Sequence, residues 1–80
     1  MSIPTLSIRL NTINDVKQFV HIVNQYPYDI DLISGRYIVD AKSIMGIFSL
    51  DLAKPIQVHI HQEECDELIS ALDQWRVRDN

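Results

Sequence analysis

The sequence AKSIMGIFSL, residues 41–50, places a lysine and a serine ahead of a short apolar run that a glycine interrupts. At about 100° per residue in a helix, the apolar side chains of this run divide into two groups. One group consists of Ile47 and Leu50, and the opposite group consists of Ile44, Met45 and Phe48. Only one group can face a sheet. The other is left partly in water, and an exposed apolar patch usually marks a contact site.

Ser43 and Gly46 give this segment two further features. Ser43 occupies the position of a helix N-cap, and a helix N-terminus also favours a phosphate group. Gly46 costs a helix about 1 kcal/mol relative to alanine, which indicates a packing or close-approach reason for the glycine. Periodicity alone also allows a simpler interpretation, in which all the apolar residues belong to the core and Ser43 is only a cap.

Outward from this segment, alternating apolar residues predict four strands. These strands lie at Leu6 to Leu10, Tyr28 to Ile33, Tyr37 to Ala41 and Ile56 to Ile60. The dipeptide Ser34-Gly35 is a turn signal, so we expect the second and third strands to form a hairpin.

Two longer helices are predicted from apolar residues at helical spacing. The apolar stripe of the first consists of Ile13, Val16, Phe19, Val20 and Val23. Asn11 or Thr12 can cap this helix. The apolar stripe of the last consists of Cys65, Leu68, Ile69, Leu72 and Trp75. Arg76 and Arg78 in its last turn complement the helix dipole.

The predicted order of elements is therefore βαββαβα. Four alternating strands with one polar face, together with helices that carry apolar stripes, indicate an antiparallel sheet covered on one face only. The fold class is α+β, an open-faced β-sandwich. Eighty residues suffice for one domain with a modest core.

The composition narrows the class of protein. With 46% hydrophobic and 22% charged residues, the chain has enough apolar surface to collapse into an ordinary globule. Its formal charge of -4 argues against nucleic acid and anionic membranes as partners. No signal peptide precedes Ile3, no apolar run approaches the ~20 residues of a membrane span, and the lone Cys65 cannot form an internal disulfide. These features predict a reduced, cytoplasmic protein.

The segment Lys42-Ser43-Ile44-Met45-Gly46, followed by Ile47-Phe48-Ser49-Leu50, resembles the regulatory-serine motif of the HPr family. These proteins are the small phosphocarriers of the bacterial sugar phosphotransferase system. The similarity extends from roughly Tyr28 through Ile60, and the order of elements fits the family fold as a single domain over residues 1–80. The resemblance implies a sheet order of 1-4-2-3 with three helices on one face.

For individual residues the resemblance implies two roles. Ser43 is expected to be the site of ATP-dependent regulatory phosphorylation. Lys42, Ile44, Met45 and Phe48 are expected to contact partner proteins. Those partners are a serine kinase, a transcriptional regulator or proteins of the phosphotransferase system, and no nucleic acid, membrane or cofactor is expected.

One part of the family pattern is missing from this chain. The phosphocarriers depend on a histidine in a Gly-Ile/Leu-His-Ala-Arg-Pro segment, where the first strand gives way to the first helix. The corresponding residues 10–15 read LNTIND and contain no histidine, arginine or proline. Asp15 repels an incoming phosphate. His21, two turns into the helix, points away from the apolar stripe and is expected to be solvated.

Other candidate sites rest on weaker patterns. His59 and His61 form an H-x-H pair on the outer side of the fourth strand, and Asp29 and Asp31 of the adjacent strand share that face. Two imidazoles and a carboxylate can hold a zinc ion. Alternating polar residues are also the ordinary pattern of an open sheet face, so no metal site is expected. Cys65 is interpreted as a small core residue.

The sequence therefore predicts a noncatalytic regulatory or adaptor protein of the HPr type. It is similar to the family's catabolite-repression paralogues, which lack the active histidine but keep the serine. One alternative is a phosphocarrier with an unrecognised acceptor, and another is a structural domain that forms a homodimer through the apolar patch. No nucleophile–base–acid set appears, so no enzyme is expected.

Overall fold

The computed structural model describes residues 4–77 of the chain. Its strands are β1 (Thr5–Ile8), β2 (Ile30–Ser34), β3 (Tyr37–Asp40) and β4 (Ile56–Ile60). Its helices are α1 (Ile13–Val23), α2 (Ile44–Phe48) and α3 (Asp66–Leu72), with a 3-10 turn over Asp73–Trp75 after α3. The predicted βαββαβα order is confirmed, and Arg78 of the predicted last turn lies outside the described residues. None of the described helices has the length and hydropathy needed to cross a bilayer.

The four strands form one antiparallel sheet in the order β1-β4-β2-β3, which confirms the expected topology. In the register of the central strand β4, Ile56 pairs with Ile8 of β1, and Ile60 pairs with Ile30 of β2. The hairpin between β2 and β3 turns at Gly35, whose φ of 60° lies in the left-handed region that glycine adopts without a Cβ clash.

One face of the sheet and the apolar sides of the helices form the core. Its fully buried members include Ile8, Val16, Phe19, Leu32, Ile47, Val58, Leu68 and Leu72. The ring of Trp75 packs edge-on against Phe19, with ring centroids 6.0 Å apart and the planes at 72°. The 3-10 turn that carries Trp75 thereby joins the end of the described chain to α1.

Two features of the helices differ from the sequence-based expectation. The apolar stripe predicted for α1 includes Ile13, but this side chain is 64% exposed. Ile13 lies at the margin of the stripe, on the same side as the half-buried Val20, so it does not reach the sheet. The last α-helix ends at Leu72, and the tighter 3-10 turn then directs Trp75 into the core.

The two edges of the sheet differ in how they are covered. The edge of β1 is paired with the segment after α3: Val77 N–H donates to the Ser7 carbonyl at 2.8 Å, and Arg9 N–H donates to the Trp75 carbonyl at 2.9 Å. Ile8 and Arg76 form an antiparallel bridge between these hydrogen bonds. The other edge is β3, and no described strand pairs with its outer side.

Candidate functional site

A capping box closes the turn between β1 and α1. Thr12 is the N-cap, and its Oγ1 accepts a hydrogen bond from the Asp15 N–H at 3.0 Å. In return, Asp15 Oδ2 accepts hydrogen bonds from the Thr12 N–H at 3.2 Å and from the Asn11 N–H at 3.0 Å. Side chains and backbone of this one turn therefore satisfy each other, and three N–H groups at the start of the helix are already engaged.

The same hydrogen bonds fix the charge of Asp15. Desolvation raises the pKa of Asp15, but hydrogen bonds from the Asn11 N–H, the Trp75 side chain and Thr12 together outweigh it. The pKa is held below its usual value of 3.8. Asp15 is therefore an anion at neutral pH, and a phosphoryl group brought to this turn meets a like charge.

The turn between β1 and α1 contains no histidine. Residues 10–15 are LNTIND, and the three histidines of the chain are His21, His59 and His61. His21 is exposed on α1, where its Nε2 lies 3.1 Å from Gln25 Nε2. The other two lie on β4 or directly after it. The structure therefore brings no histidine into the turn before α1.

Ser43 begins the short helix α2. The residue is half-buried with an extended backbone, and its Oγ accepts a hydrogen bond from the Gly46 N–H at 3.2 Å. Its own N–H donates to the Asp40 carbonyl at 3.0 Å, and its carbonyl accepts from the Ile47 N–H at 3.1 Å. The structure places the predicted regulatory serine at the N-cap that the sequence indicates.

Gly46 faces β3 and the Ser43 side chain at close range. A Cβ built on Gly46 would lie 3.3 Å from Ser43 Oγ and 3.3 Å from Val39 Cβ. Both distances are tighter than ordinary van der Waals contact. The glycine thus lets α2 approach β3 and leaves space beside the Ser43 hydroxyl, which is the close approach that its helix cost suggests.

Lys42 is held by the protein itself. Its ammonium group donates to the Tyr26 carbonyl at 2.7 Å, and its backbone N–H donates to Asp40 Oδ1 at 2.9 Å. The Tyr26 ring stacks on Tyr28, with ring centroids 5.8 Å apart. The hydrogen bond from the Lys42 ammonium group therefore links the start of α2 to the turn after α1. A partner contact through Lys42 must use the remaining donors of its ammonium group.

The apolar residues of α2 on the side away from Ile47 form a surface that we call the α2 patch, consisting of Ile44, Met45 and Phe48. Met45 is 78% exposed and Phe48 is 42% exposed, whereas Ile44 is half-buried and packs against the core. On the opposite side of the helix, Ile47 is fully buried. The division of this segment into a buried and an exposed group follows the predicted one, so the five residues do not all belong to the core.

On the outer face of the sheet, His59 and His61 have separate side-chain partners and do not converge on one site. His61 Nε2 lies 2.8 Å from Asp31 Oδ2. His59 instead has its Nε2 3.4 Å from Gln57 Oε1 of its own strand. Across residues 4–77, no three His, Cys, Asp or Glu side chains are grouped in a way that could hold a metal ion.

Cys65 is 3% exposed and lies at the start of α3. Burial raises the pKa of its thiol, and the neighbouring Asp66 raises it further. A buried thiol with a raised pKa is a poor nucleophile at neutral pH, in line with the interpretation of Cys65 as a core residue.

Most of the chain matches the profile of a known protein family. The PTS-HPr profile, described as "PTS HPr component phosphorylation site", matches residues 14–75. The chain belongs to the HPr family. The match covers most of the chain and includes Ser43 and the α2 patch, but it begins after residues 10–13. This HPr-like chain is thus a member of the phosphocarrier family of the phosphotransferase system.

Solved structures of HPr proteins share the fold. HPr-C-His from Thermoanaerobacter tengcongensis is 26% identical, with a TM-score of 0.73 over 92% of this chain and 89% of that one. A phosphocarrier protein HPr from Bacillus anthracis is 23% identical, with a TM-score of 0.73 over 96% of this chain and 100% of that one. The histidine-containing phosphocarrier protein of Mycoplasma is 17% identical, with a TM-score of 0.68 over 89% and 86%. No curated protein sequence matches the chain.

Two contacts at these sites were beyond sequence reasoning. The sequence gives no sign that the Trp75 side chain reaches Asp15, because sixty positions of chain separate an aromatic of one helix from a carboxylate of another. The sequence also does not predict the hydrogen bond from Lys42 to the Tyr26 carbonyl, since every backbone carbonyl is a possible acceptor. The capping box itself has a signal, Thr12 followed three residues later by Asp15.

Proposed function

We propose that this HPr-family chain is a noncatalytic regulatory or adaptor protein that binds other proteins through the α2 patch and is controlled by phosphorylation of Ser43. The exposure of Met45 and Phe48, on a helix whose other side is fully buried, is the observation that carries the proposal. Large apolar side chains at a protein surface gain free energy when a partner covers them.

The turn before α1 supports a role without phosphoryl transfer. A phosphocarrier needs a neutral imidazole as acceptor and free donors to stabilise the added charge. In this chain the donors at Asn11 and Thr12 point to the Asp15 carboxylate. Since Asp15 keeps its charge at neutral pH, the turn is arranged against an added anion.

An added phosphate on Ser43 is expected to change the α2 patch. Ile44 and Met45 follow it directly, so a doubly charged group on Ser43 Oγ stands at the margin of the α2 patch. With glycine at position 46, no Cβ crowds the Ser43 hydroxyl. Phosphorylation then converts an apolar surface into an apolar surface with an anionic edge, and a partner with a basic residue at that edge distinguishes the two forms.

The partners that fit this surface are proteins: an HPr-type serine kinase that modifies Ser43, a transcriptional regulator that recognises the phosphoserine, or proteins of the phosphotransferase system. Each is expected to cover Met45 and Phe48 with apolar side chains of its own. The α2 patch is small, so binding that depends on it is expected to be weak before phosphorylation adds charged hydrogen bonds.

The first experiment is intact-mass spectrometry after incubation with ATP and an HPr-type serine kinase, with Ser43→Ala as the control. The expected result is one added phosphate on the native chain and none on the variant. Ser49→Ala provides a matched second control, because Ser49 lies five residues from the helix start and is expected to stay unmodified. A native chain that remains unphosphorylated contradicts the regulatory part of the proposal.

A second experiment tests the phosphocarrier alternative. The chain is incubated with phosphoenolpyruvate and the first enzyme of the phosphotransferase system, with an HPr protein that has the active histidine as positive control. No acid-labile phosphate is expected on this chain. Acid-labile label that disappears in His21→Gln would instead identify an exposed histidine as an acceptor and overturn the noncatalytic assignment.

A further inference from the structure

We propose that the open edge of β3 pairs with β3 of a second copy of this chain, in antiparallel orientation, to form one continuous sheet across a homodimer. This interface is separate from the α2 patch and does not depend on the proposed function. It is also distinct from the homodimer that the sequence leaves as an alternative, which uses the apolar patch around Met45.

The contrast between the two sheet edges is the first support. The β1 edge is blocked by the segment around Arg76, which bridges to Ile8. The β3 edge has no described strand on its outer side. Sheet edges present unpaired N–H and C=O groups, and proteins protect them with lysines, prolines, bulges or covering segments. The sequence Tyr37-Ile38-Val39-Asp40 has no lysine and no proline.

The backbone of β3 presents its donors to this edge at alternate residues. Ala41 N–H donates to the Ile30 carbonyl at 2.9 Å, so residue 41 faces β2. Because backbone groups alternate in direction along a strand, Ile38 and Asp40 direct their N–H groups to the open edge. The Asp40 carbonyl already accepts the Ser43 N–H. The Asp40 N–H points to the open edge and is the group left for a second strand.

The side chains of the edge are large and apolar at its centre. Tyr37 is 70% exposed and Ile38 is 66% exposed. Ile38 lies opposite Ile33 of β2, on the outer face of the sheet. A strand that pairs with this edge would bury most of its apolar surface at Tyr37 and Ile38.

The charges of the strand are complementary to a second copy of themselves. If two β3 strands pair with a two-fold axis at Ile38, Ile38 faces its own equivalent, and Arg36 of each copy faces Asp40 of the other. The pairing thus places two opposite-charge pairs symmetrically around an apolar centre. Ile38 then exchanges both of its backbone hydrogen bonds, and the Asp40 N–H meets the Arg36 carbonyl of the second copy.

The surroundings of Asp40 favour an incoming cation. Asp29, Asp31, Asp40 and His61 line a cleft of about 380 Å³. Among the described residues, the ion pair of His61 with Asp31 is the only one at this cleft. The nearby Lys42 directs its ammonium group to Tyr26 instead. An arginine from a second copy therefore approaches a surface rich in carboxylates. A strand with only apolar side chains would lack this electrostatic attraction.

A strand of four residues makes a small interface, so the dimer is expected to be weak and to depend on concentration. The test is sedimentation of the full chain from about 10 μM to about 1 mM, a range that covers micromolar to millimolar dissociation constants. The mass is expected to rise towards that of two chains. Ile38→Lys and Arg36→Asp are each expected to abolish the rise, whereas Met45→Asp is expected to leave it unchanged.

A charge exchange makes the test specific for the proposed register. Arg36→Asp gives a strand with two negative ends, and Asp40→Arg gives a strand with two positive ends, so each variant alone is expected to be monomeric. Mixed in equal amounts they are expected to form a heterodimer. The double variant Arg36→Asp/Asp40→Arg is expected to dimerise again.

Because Asp40 Oδ1 also accepts the Lys42 N–H, circular dichroism confirms that each variant is folded, and Asp40→Asn keeps the acceptor while removing the charge. Asp40→Asn is expected to weaken the dimer several-fold. A native chain that stays monomeric at all concentrations overturns the proposal. So does a dimer that is lost in Met45→Asp, which places the interface on α2, or a mixture of the two charge variants that fails to associate.

Discussion

Thr12 and Asp15 exchange hydrogen bonds at the start of α1: the Thr12 Oγ1 accepts the Asp15 N–H at 3.0 Å, and the Asp15 Oδ2 accepts the Thr12 N–H at 3.2 Å. This reciprocal pair lies in the turn between β1 and α1, a turn that contains no histidine in this chain. The Asp15 carboxylate therefore satisfies backbone donors that would otherwise be free to bind an anion.

Asp15→Asn is expected to reduce stability in a pH-dependent manner. Because the pKa of Asp15 is held below 3.8 in the folded state, its contribution is present above that pH and is lost as the pH falls through the lower folded value. The difference between the native chain and Asp15→Asn should therefore be constant near neutral pH and shrink below pH 3.8. Urea unfolding followed by circular dichroism measures it. Glu63→Gln, at an exposed loop position, is the control and should show no comparable change.

Thr12→Ala is expected to cost about 1 kcal/mol of unfolding free energy, because the N-cap hydrogen bond to Asp15 is lost. Thr12→Ser retains the hydroxyl oxygen and should recover most of the loss. Urea denaturation at neutral pH distinguishes them. Equal destabilisation by both substitutions would show that the methyl group, and not the cap, is responsible.

Met45→Ala and Ile47→Ala are expected to differ sharply although the residues are two positions apart. Met45 is 78% exposed, so its truncation should change the unfolding free energy by no more than about 0.5 kcal/mol. Ile47 is fully buried, so its truncation should cost about 2–5 kcal/mol. Thermal and urea unfolding measure both. A large loss in Met45→Ala would mean that the α2 patch is part of the core.

Gly46→Ala is expected to give none of the stabilisation of about 1 kcal/mol that alanine provides over glycine in an open helix. The added Cβ lies 3.3 Å from both Ser43 Oγ and Val39 Cβ, so the helix must shift or the serine must rotate. The unfolding free energy reports the result. The matched control is Ser70→Ala, at an exposed position of α3, which should gain a few tenths of a kcal/mol. A gain at Gly46 as large as the open-helix value contradicts the crowding.

Cys65 is expected to resist thiol reagents in the folded state. The side chain is 3% exposed and burial raises the pKa of its thiol, so both access and thiolate content are low. Labelling with an aromatic disulfide reagent should be slow in buffer and fast in urea. Fast labelling in buffer would indicate that the start of α3 opens readily.

Sequence periodicity was sufficient for the order of elements and for the division of residues 44–50, because both depend on which side chains must be buried. Periodicity assigned Ile13 to the apolar stripe of α1, but this side chain is exposed. A residue at the margin of a helical stripe is buried only if the sheet extends beneath it. Ser43 was singled out through its local motif, and its regulatory role stays a prediction. The Trp75–Asp15 contact and the open edge of β3 arise from the packing of distant segments, which local spacing does not specify.

The pairing of β1 with β4 has a consequence for synthesis. Strand β1 cannot complete its ladder until β4 has emerged from the ribosome, because its strand partners among residues 4–77 are β4 and the segment after α3. At about 5–20 residues per second, this delay amounts to roughly 3–10 s. During that time Leu6 and Ile8 lack their partners in β4, so β1 is the segment that a nascent-chain chaperone would meet first.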